Sequence, residues 1–328
     1  MLQTSICIMI LVYDIIATKM RLCGGNMQKS KFKSGFISII GRPNVGKSTL
    51  VNKLAGEKIA IMSDKPQTTR NAIKCILTGD DYQIIFIDTP GIHKPKHKLG
   101  NYMVKSATGT IGEVDAILFV VEADDKEIGG GDNYILEQLK DVKIPVILII
   151  NKIDKIKKEE VLSTINRFKG IYNFKTVIPI SALQGDGIEI IIDEIKKMLP
   201  EGPKYFPEDY ITDQPEKIIV AEIIREKILN LLQDEVPHGT AVEVDSMKER
   251  NGKEIIDIKA NIFCEKDSHK PIVIGKGGSM LKEIGKRARI DIEVFLDSKV
   301  FLELWVKVKK DWKDNENMLR SLFQDYKK

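Results

Sequence analysis

The stretch that decides the fold is Gly41-Arg42-Pro43-Asn44-Val45-Gly46-Lys47-Ser48. An apolar run over 35–40 precedes it and predicts a buried strand, and a helix-forming run begins at Lys47. The pattern is G-x-x-x-x-G-K-S, in which glycines let successive backbone N–H groups turn inward around phosphate oxygens. Its position between a strand and a helix predicts a P-loop domain of the α/β class.

Side chains of this loop predict how a nucleotide would be held. Lys47 can reach the β- and γ-phosphates, and the Ser48 hydroxyl can ligate Mg²⁺. We therefore predict nucleotide contacts for the loop and the first helical residues: Gly41, Arg42, Pro43, Asn44, Val45, Gly46, Lys47, Ser48 and Thr49.

A second apolar strand, over 84–87, runs into Asp88-Thr89-Pro90-Gly91. An aspartate at a strand end is placed to hold Mg²⁺ through a water molecule, and the N–H of Gly91 can meet the γ-phosphate. All four residues, Asp88, Thr89, Pro90 and Gly91, are predicted to line the nucleotide site.

A third strand, over 145–150, ends in Asn151-Lys152-Ile153-Asp154 and predicts which base is bound. A carboxylate at Asp154 accepts hydrogen bonds from both N1–H and the N2 amino group of guanine, a pair that adenine does not offer. Asn151 would brace the loop, and the Lys152 stem would lie over the base.

A fourth strand, over 177–180, ends in Ser181-Ala182-Leu183, whose backbone would meet guanine O6. The four motifs follow one another along the chain, each at the carboxyl end of a strand, where an α/β sheet binds its ligand. Together they predict that this half binds GTP or GDP with Mg²⁺.

Thr68 and Thr69, between the P-loop and the Asp88–Gly91 motif, are candidates to sense Mg²⁺ and the γ-phosphate, and the sequence leaves the choice open. Ile92 stands where many small GTPases have a glutamine that positions water, so slow hydrolysis is expected. The predicted catalytic residues are Lys47, Thr68, Thr69, Asp88 and Gly91. The predicted metal ligands are Ser48, Thr68, Thr69 and Asp88.

Length and composition limit the class of protein. The 328 residues suit about two domains, with 43% hydrophobic and 30% charged residues. No stretch of about 20 uncharged apolar residues is present to span a bilayer. Four scattered cysteines without a C-x-x-C pair exclude a zinc ribbon or disulfide scaffold and favour a reducing, cytoplasmic setting.

Residues 1–30 form an N-terminal extension outside both predicted domains. The apolar segment 6–17 is interrupted by Asp14 and has no preceding basic residue, unlike a secretory signal. We expect that residues 1–26 are not translated and that Met27 is the true start, because the codons for 24–26 can spell a ribosome-binding site. A short buried or interfacial helix, or a disordered segment, is the alternative.

The rest of the chain predicts a linker and a second domain. We place the nucleotide-binding domain at 31–200, a linker rich in proline and acidic residues at 201–217, and an α+β domain at 218–328. An amphipathic helix over 220–232 and strands over 241–245 and 254–264 precede Gly275-Lys276-Gly277-Gly278. A helix over 280–289 and a strand over 300–308 follow.

The G-x-x-G loop and its surroundings predict RNA binding. The loop permits close approach of a sugar–phosphate backbone, as in the KH clamp on about four nucleotides, and the element order is that of a type II KH domain. Residues 270–289 carry six basic side chains against Glu283. The predicted RNA contacts are Gly275, Lys276, Gly277, Gly278, Lys282, Lys286 and Arg287. Trp305 and Trp312 are candidates for base stacking, with ordinary packing as the alternative.

These motifs together resemble the Era family of bacterial GTPases. The resemblance covers residues 30–325 and rests on G-R-P-N-V-G-K-S, P-Q-T-T-R, D-T-P-G-I-H, N-K-I-D and S-A-L, with the join at 206–213 and the strand at 302–309. It implies a Ras-like GTPase domain followed by a type II KH domain, and hydrolysis of GTP to GDP and phosphate. A K⁺ ion associated with Asn44 is a further implication, and it would substitute for the missing glutamine.

The resemblance also implies partners. It suggests a cytoplasmic monomer that binds the 3′ end of 16S rRNA and acts in assembly of the 30S ribosomal subunit, with peripheral association at the inner face of the cell membrane. The alternative hypothesis is a membrane-surface regulatory GTPase whose basic cluster meets anionic lipid and for which RNA binding is secondary.

Overall fold

The computed structural model describes residues 31–323, apart from 64, 66–67, 71, 92–96, 110–112, 251 and 253 and the side chains at 106 and 108. The expectations for residues 1–30 and for Ile92 therefore lie outside the described residues.

The first half of the chain is built on a six-stranded sheet. Its strand order is β2-β3-β1-β4-β5-β6, and neighbouring strands are parallel except for β2, which pairs antiparallel with β3. The strands are β1 (Lys33–Ile40), β2 (Ile73–Thr78), β3 (Tyr82–Asp88), β4 (Ala116–Glu122), β5 (Val146–Asn151) and β6 (Thr176–Pro179). The helices are α1 (Lys47–Ala55), α2 (Lys98–Gly109), α3 (Gly130–Leu139), α4 (Lys158–Phe168) and α5 (Ile188–Met198).

Apolar clusters cover both faces of this sheet. Ile39 belongs to one cluster and Ile40 to the other, because successive strand residues point to opposite faces. Covering on both faces explains why the central strands are almost continuously apolar. The four strands that end in motifs, β1, β3, β5 and β6, were predicted from the sequence, whereas β2 and β4 were not.

The second half has the element order predicted for a type II KH domain. A three-stranded sheet has the order β7-β8-β9, with β7 antiparallel and β9 parallel to the central β8. Its elements are α6 (Glu216–Leu231), β7 (Thr240–Glu249), β8 (Ile255–Cys264), α7 (His269–Ile274), α8 (Ser279–Leu296), β9 (Lys299–Val308) and α9 (Glu316–Leu322). The predicted fold class is thus confirmed.

Helix α6 differs from the amphipathic helix that was predicted. Ten of its sixteen residues are buried, and these include Arg225, Glu226 and Lys227. One side of α6 packs on the KH core, and the other side meets the first half of the chain. Lys58 illustrates this contact, because its ammonium lies 3.0 Å from Glu226 Oε1 and 2.8 Å from Asp291 Oδ2.

An apolar cluster also joins the two halves. Leu99 and Met103 of α2 pack with Phe263 of β8, Trp312 and Phe323. Trp312 is fully buried, and its indole N–H donates to the carbonyl of Gly239 (3.1 Å). Within the described part of the chain, no helix has the length and apolar character needed to cross a membrane.

Candidate nucleotide and RNA sites

The P-loop connects β1 to α1 and is packed so closely that two of its glycines have no room for a side chain. A Cβ on Gly41 would lie 2.5 Å from the Val120 carbonyl oxygen. Gly46 has φ +96°, and a Cβ there would lie 2.2 Å from Asn151 Nδ2. That amide donates to the Val45 carbonyl (2.8 Å). This hydrogen bond joins the P-loop to the Asn151–Asp154 loop, which is predicted to read the base.

Lys47 is buried at the centre of the P-loop. Its ammonium donates to the carbonyls of Gly41 (3.0 Å) and Arg42 (2.9 Å). Burial lowers its pKa to about 8, a shift that the nearby Asp88 carboxylate partly opposes. The ammonium is held where a phosphate chain wrapped by the loop would meet it.

Three oxygen-bearing side chains converge beside Lys47. Ser48 Oγ lies 2.8 Å from Thr69 Oγ1 and 3.1 Å from Asp88 Oδ2. Asp88 is completely buried, which raises its pKa to about 6, and its Oδ1 has no hydrogen-bond partner among the described residues. Carboxylate and hydroxyl oxygens are the ligands that Mg²⁺ prefers, so the donor set fits this ion.

Thr68 and Thr69 have different surroundings. The Thr69 hydroxyl lies 3.3 Å from Asp88 Oδ2, and these two side chains form an oxygen cluster with Ser48. The Thr68 hydroxyl instead donates to the carbonyls of Ser63 (3.2 Å) and Lys65 (2.5 Å), away from that cluster. Of the two threonines predicted as metal ligands, the structure brings only Thr69 to Ser48 and Asp88.

The Asp88–Gly91 motif is fastened to the P-loop. The Thr89 hydroxyl donates to the Ile39 carbonyl (2.7 Å), which ties the motif to β1. A Cβ on Gly91 would lie 2.8 Å from Pro43 N, so only glycine permits this approach. Thr89 and Pro90 are buried and hold the turn rather than facing the cleft.

The base-reading loops at the ends of β5 and β6 are joined by hydrogen bonds. Asn151 Oδ1 accepts from the N–H of Ala182 (3.0 Å), and the Ser181 hydroxyl donates to Asp154 Oδ1 (2.5 Å). The Lys152 ammonium donates to the Asn44 carbonyl (2.7 Å) and pairs with Glu122. These contacts hold Asp154 at an exposed edge, where a base can reach it.

A cleft of about 510 Å³ connects the phosphate loop, the oxygen cluster and the base-reading loops. It brings together nine of the nineteen predicted nucleotide contacts with Asn230 of α6, whereas Asp88, Asn151 and Asp154 are among the predicted contacts that do not line it. Its lining includes Pro43, Asn44, Gly46, Lys47, Ser48, Thr49, Thr68, Thr69, Gly91, Lys152 and Leu183.

The side chain of Arg42, a predicted nucleotide contact, pairs with carboxylates from other elements of the domain. Its guanidinium lies 2.8 Å from Glu122 Oε2 and 3.3 Å from Asp132 Oδ2, and it also pairs with Asp125. The side chain therefore fastens the P-loop to β4 and α3, which leaves only its backbone for phosphates. Sequence reasoning missed these carboxylates because they lie 80 or more residues away in the chain.

The G-x-x-G loop enters α8 through left-handed backbone. Gly277 has φ +58° and Gly278 φ +81°, a region that residues with a Cβ rarely adopt. Gly275 has φ +75°, and a Cβ there would lie 2.7 Å from the N of Met280. Lys276 is exposed at the tip of the loop.

A groove of about 540 Å³ runs from this loop between α8 and β9. Lys282, Lys286 and Arg289 line it, because positions i, i+4 and i+7 share one face of a helix. Arg287, a predicted RNA contact, does not line the groove and pairs instead with Glu283 (2.6 Å). Arg289 was not among the predicted RNA contacts, although its helical spacing from Lys282 indicates that both residues lie on one face.

Fold and sites define the class: a P-loop GTPase that carries a C-terminal KH RNA-binding domain. Models of two families match the chain, "50S ribosome-binding GTPase" over residues 36–152 and "KH domain" over residues 235–313. The chain is 63% identical to GTPase Era of Alkaliphilus oremlandii over 294 residues, which is 90% of this chain and 99% of that one. It is 60% identical to GTPase Era of Alkaliphilus metalliredigens, over 89% of this chain and 98% of that one. The chain therefore belongs to the GTPase Era family.

Solved structures agree with this assignment. Aquifex aeolicus Era, a variant bound to GDP·AlF4⁻, superposes with a TM-score of 0.86 at 42% identity, covering 90% of this chain and 99% of that one. Era in complex with MgGDPNP and nucleotides 1506–1542 of 16S ribosomal RNA gives a TM-score of 0.84 at 41% identity, with the same coverage. The predicted family and the predicted GTPase activity are confirmed.

Proposed function

We propose that GTP binding and hydrolysis control when the KH domain grips the 3′ end of 16S rRNA, and that the protein acts in assembly of the 30S subunit. The relative solved with MgGDPNP and nucleotides 1506–1542 of 16S rRNA supports this choice of RNA. Control by the nucleotide requires that the GTP and GDP forms differ in RNA affinity, since a nucleotide that binds both forms equally shifts nothing.

The observation that carries the proposal is the position of Thr68, Thr69 and Arg70. The Thr69 hydroxyl lies in the oxygen cluster of the nucleotide site. The carbonyl of the preceding Thr68 accepts a hydrogen bond from Arg225 of α6.

The third residue, Arg70, extends into the KH domain. Its guanidinium donates to the carbonyls of Thr240 (2.7 Å) and His238 (3.2 Å) and lies 5.3 Å from the centre of the Trp312 ring. Reordering of Thr69 around a γ-phosphate would therefore move groups that are bonded to α6 and to the start of β7. Such ordering of a loop by the γ-phosphate is how related GTPases signal their state.

The catalytic residues that we propose are Lys47, Thr69, Asp88 and Gly91, with Thr68 in a positioning role. Ser48, Thr69 and Asp88 would hold Mg²⁺, which neutralises charge on the phosphate oxygens. Lys47 and the N–H of Gly91 would bind the γ-phosphate. Asp154 would select guanine, with Asn151, Lys152 and the backbone of residues 181–183 supporting the base.

We further propose that K⁺ near Asn44 assists hydrolysis, because Ile92 cannot position water. We expect GTP hydrolysis to be faster in KCl than in NaCl. Asn44→Gly should remove this difference, since glycine tolerates the φ of +68° at this position but offers no side-chain ligand. Equal rates in the two salts for the parent protein would contradict the K⁺ proposal.

The deciding experiment measures binding of a labelled 3′-terminal 16S rRNA fragment with a non-hydrolysable GTP analogue and then with GDP. We expect at least about five-fold tighter binding in the GTP-like state, the lower range of allosteric coupling. Arg225→Gln should reduce that ratio with little change in GTP affinity. Arg320→Gln, at an exposed arginine of α9, is the matched control.

Two outcomes would contradict the proposal. Equal RNA affinity in both nucleotide states would separate RNA binding from the GTPase cycle. Absence of RNA binding in either state would favour a second candidate, a membrane-surface GTPase in which the basic residues of 270–289 meet anionic lipid. Co-sedimentation with anionic vesicles after RNase treatment tests that candidate.

A further inference from the structure

Two aromatic side chains stand exposed on β9: Phe301, which also lines the groove, and Trp305, which lies outside the sites described above. Phe301 is 54% and Trp305 56% exposed. Alternate residues of this strand, such as Val300 and Leu302, pack into the KH core, so Phe301 and Trp305 project from the opposite face of the sheet. They are four positions apart, which places them about 13 Å apart along the strand.

This face of the sheet is covered at one end and open at the other. Ala241 of β7 and Phe263 of β8 lie under Trp312 and Leu319 in the cluster that joins the two halves. The β9 side of the same face lies outside that cluster among the described residues. Phe301 and Trp305 stay more than half exposed there, and the Arg250 guanidinium lies 5.3 Å from the centre of the Phe301 ring. Exposed aromatic side chains grouped on one face are typical of a binding surface.

We propose that this face of β9 is a second RNA contact, on which bases stack against Phe301 and Trp305; the inference rests on the proposed RNA-binding function. Bases have π-faces that stack on aromatic rings whatever their sequence. The indole N–H of Trp305 donates to Glu303 (3.2 Å), which fixes the orientation of the ring.

The charges around the pair favour RNA over a protein partner. Lys299 and Lys307 flank the rings on the same strand, and both are exposed. Both carboxylates of the exposed face beside the rings are paired, Glu303 with Lys259 (3.6 Å) and Asp257 with Arg250. Cationic side chains around aromatic rings are characteristic of single-stranded nucleic acid sites, whereas lysine is depleted in protein–protein interfaces.

The position of β9 links this surface to the KH groove. β9 is an edge strand of its sheet, and Phe301 also lines the groove with Arg289. A KH clamp holds about four nucleotides, whereas the RNA in the related complex spans nucleotides 1506–1542. RNA that leaves the groove past the edge of β9 reaches Phe301 first and then Trp305.

The test compares two RNAs on the full chain: the fragment 1506–1542 of 16S rRNA and a short oligonucleotide from its 3′ end, about twice the length that the clamp holds. Trp305→Ala should weaken binding of the long RNA about ten-fold and leave the short RNA within about two-fold. Trp305→Tyr should restore most of the loss. Tyr134→Ala, at an exposed tyrosine of α3, should have no effect.

Fluorescence supplies an independent readout, because the chain has two tryptophans and Trp312 is fully buried. Acrylamide quenching therefore reports on Trp305, and the long RNA should protect it while the short RNA does not. Unchanged long-RNA affinity, or equal loss for both RNAs, would overturn this inference and leave the KH groove assignment intact. A change of oligomeric state in Trp305→Ala would assign the face to a second copy. Failure of the parent protein to bind either RNA would overturn the proposed function as well.

Discussion

The proposed preference for guanine depends on one carboxylate group, that of Asp154. We expect Asp154→Asn to weaken GDP binding roughly ten- to one-hundred-fold, the range for loss of a bidentate contact to a base. Binding of xanthosine diphosphate should improve, because xanthine carries a carbonyl where guanine has its amino group, and the new amide can donate to it. Competition among GDP, ADP and xanthosine diphosphate measures this. Asp193→Asn on α5 is the control, and a retained preference for guanine would refute the role.

Burial of Asp88 predicts that the free energy of unfolding depends on pH. Because burial raises its pKa to about 6, above the value near 4 of an unfolded chain, its contribution to the free energy of unfolding falls as pH rises from about 4 to 6. Asp88→Asn removes this titration. Without nucleotide, the free energy of unfolding of the variant minus that of the parent protein should rise by roughly 1 kcal/mol between pH 5 and pH 7.5. Urea unfolding of both proteins at the two pH values is the measurement. If their free energies of unfolding differ by the same amount at pH 5 and at pH 7.5, the titration assigned to Asp88 is wrong.

At the scale of elements, α8 presents one face to the groove and another to solvent. Lys286 lines the groove, whereas its neighbour Arg287 pairs with Glu283. We expect Lys286→Glu to weaken RNA binding about ten-fold. The slope of log affinity against log salt concentration should fall by about one, the effect of losing one phosphate contact. Arg287→Glu introduces the same negative side chain at the next position and should change affinity by less than about two-fold. Equal effects in a salt titration would mean that net charge, not the groove, governs binding.

Elements that carry a contiguous motif were predictable, and those defined by distant contacts were not. The P-loop and the Asn151–Asp154 loop depend on backbone geometry within a few residues, so the amino-acid sequence of each motif is enough to predict it. Thr68 and Thr69 are indistinguishable in the sequence, because their difference depends on partners elsewhere in the fold. Helix α6 has apolar residues at helical spacing, but the burial of Arg225 depends on the first half of the chain packing against it.

For the whole molecule, the cluster around Met103 joins two folding units. Met103→Ala should cost about 2–4 kcal/mol through the cavity that it leaves. We expect that adding GDP protects the β8 amides from hydrogen exchange in the parent protein. In Met103→Ala, adding GDP should no longer protect them. Leu136→Ala makes a similar cavity in a cluster confined to the first half, and it should leave the protection of β8 intact. Loss of protection in both variants would indicate general destabilisation.

The contacts between the halves could not have been predicted from the sequence. Arg70 hydrogen-bonds to Thr240, 170 residues further along the chain, and no local pattern marks such a pair. The domain boundaries at 31–200, 201–217 and 218–328 remain predictions.

The parallel pairing of β8 with β9 has a consequence for how the protein is made. The connection between these strands contains α7, the G-x-x-G loop and α8, so the groove gains its second wall only when β9 has been synthesised. All six strands of the first sheet lie before residue 180, and domains fold in order as the chain emerges. A nascent chain can therefore complete the sheet that carries its nucleotide site well before the groove that we propose binds RNA has its second wall, because β9 begins 120 residues after β6 ends.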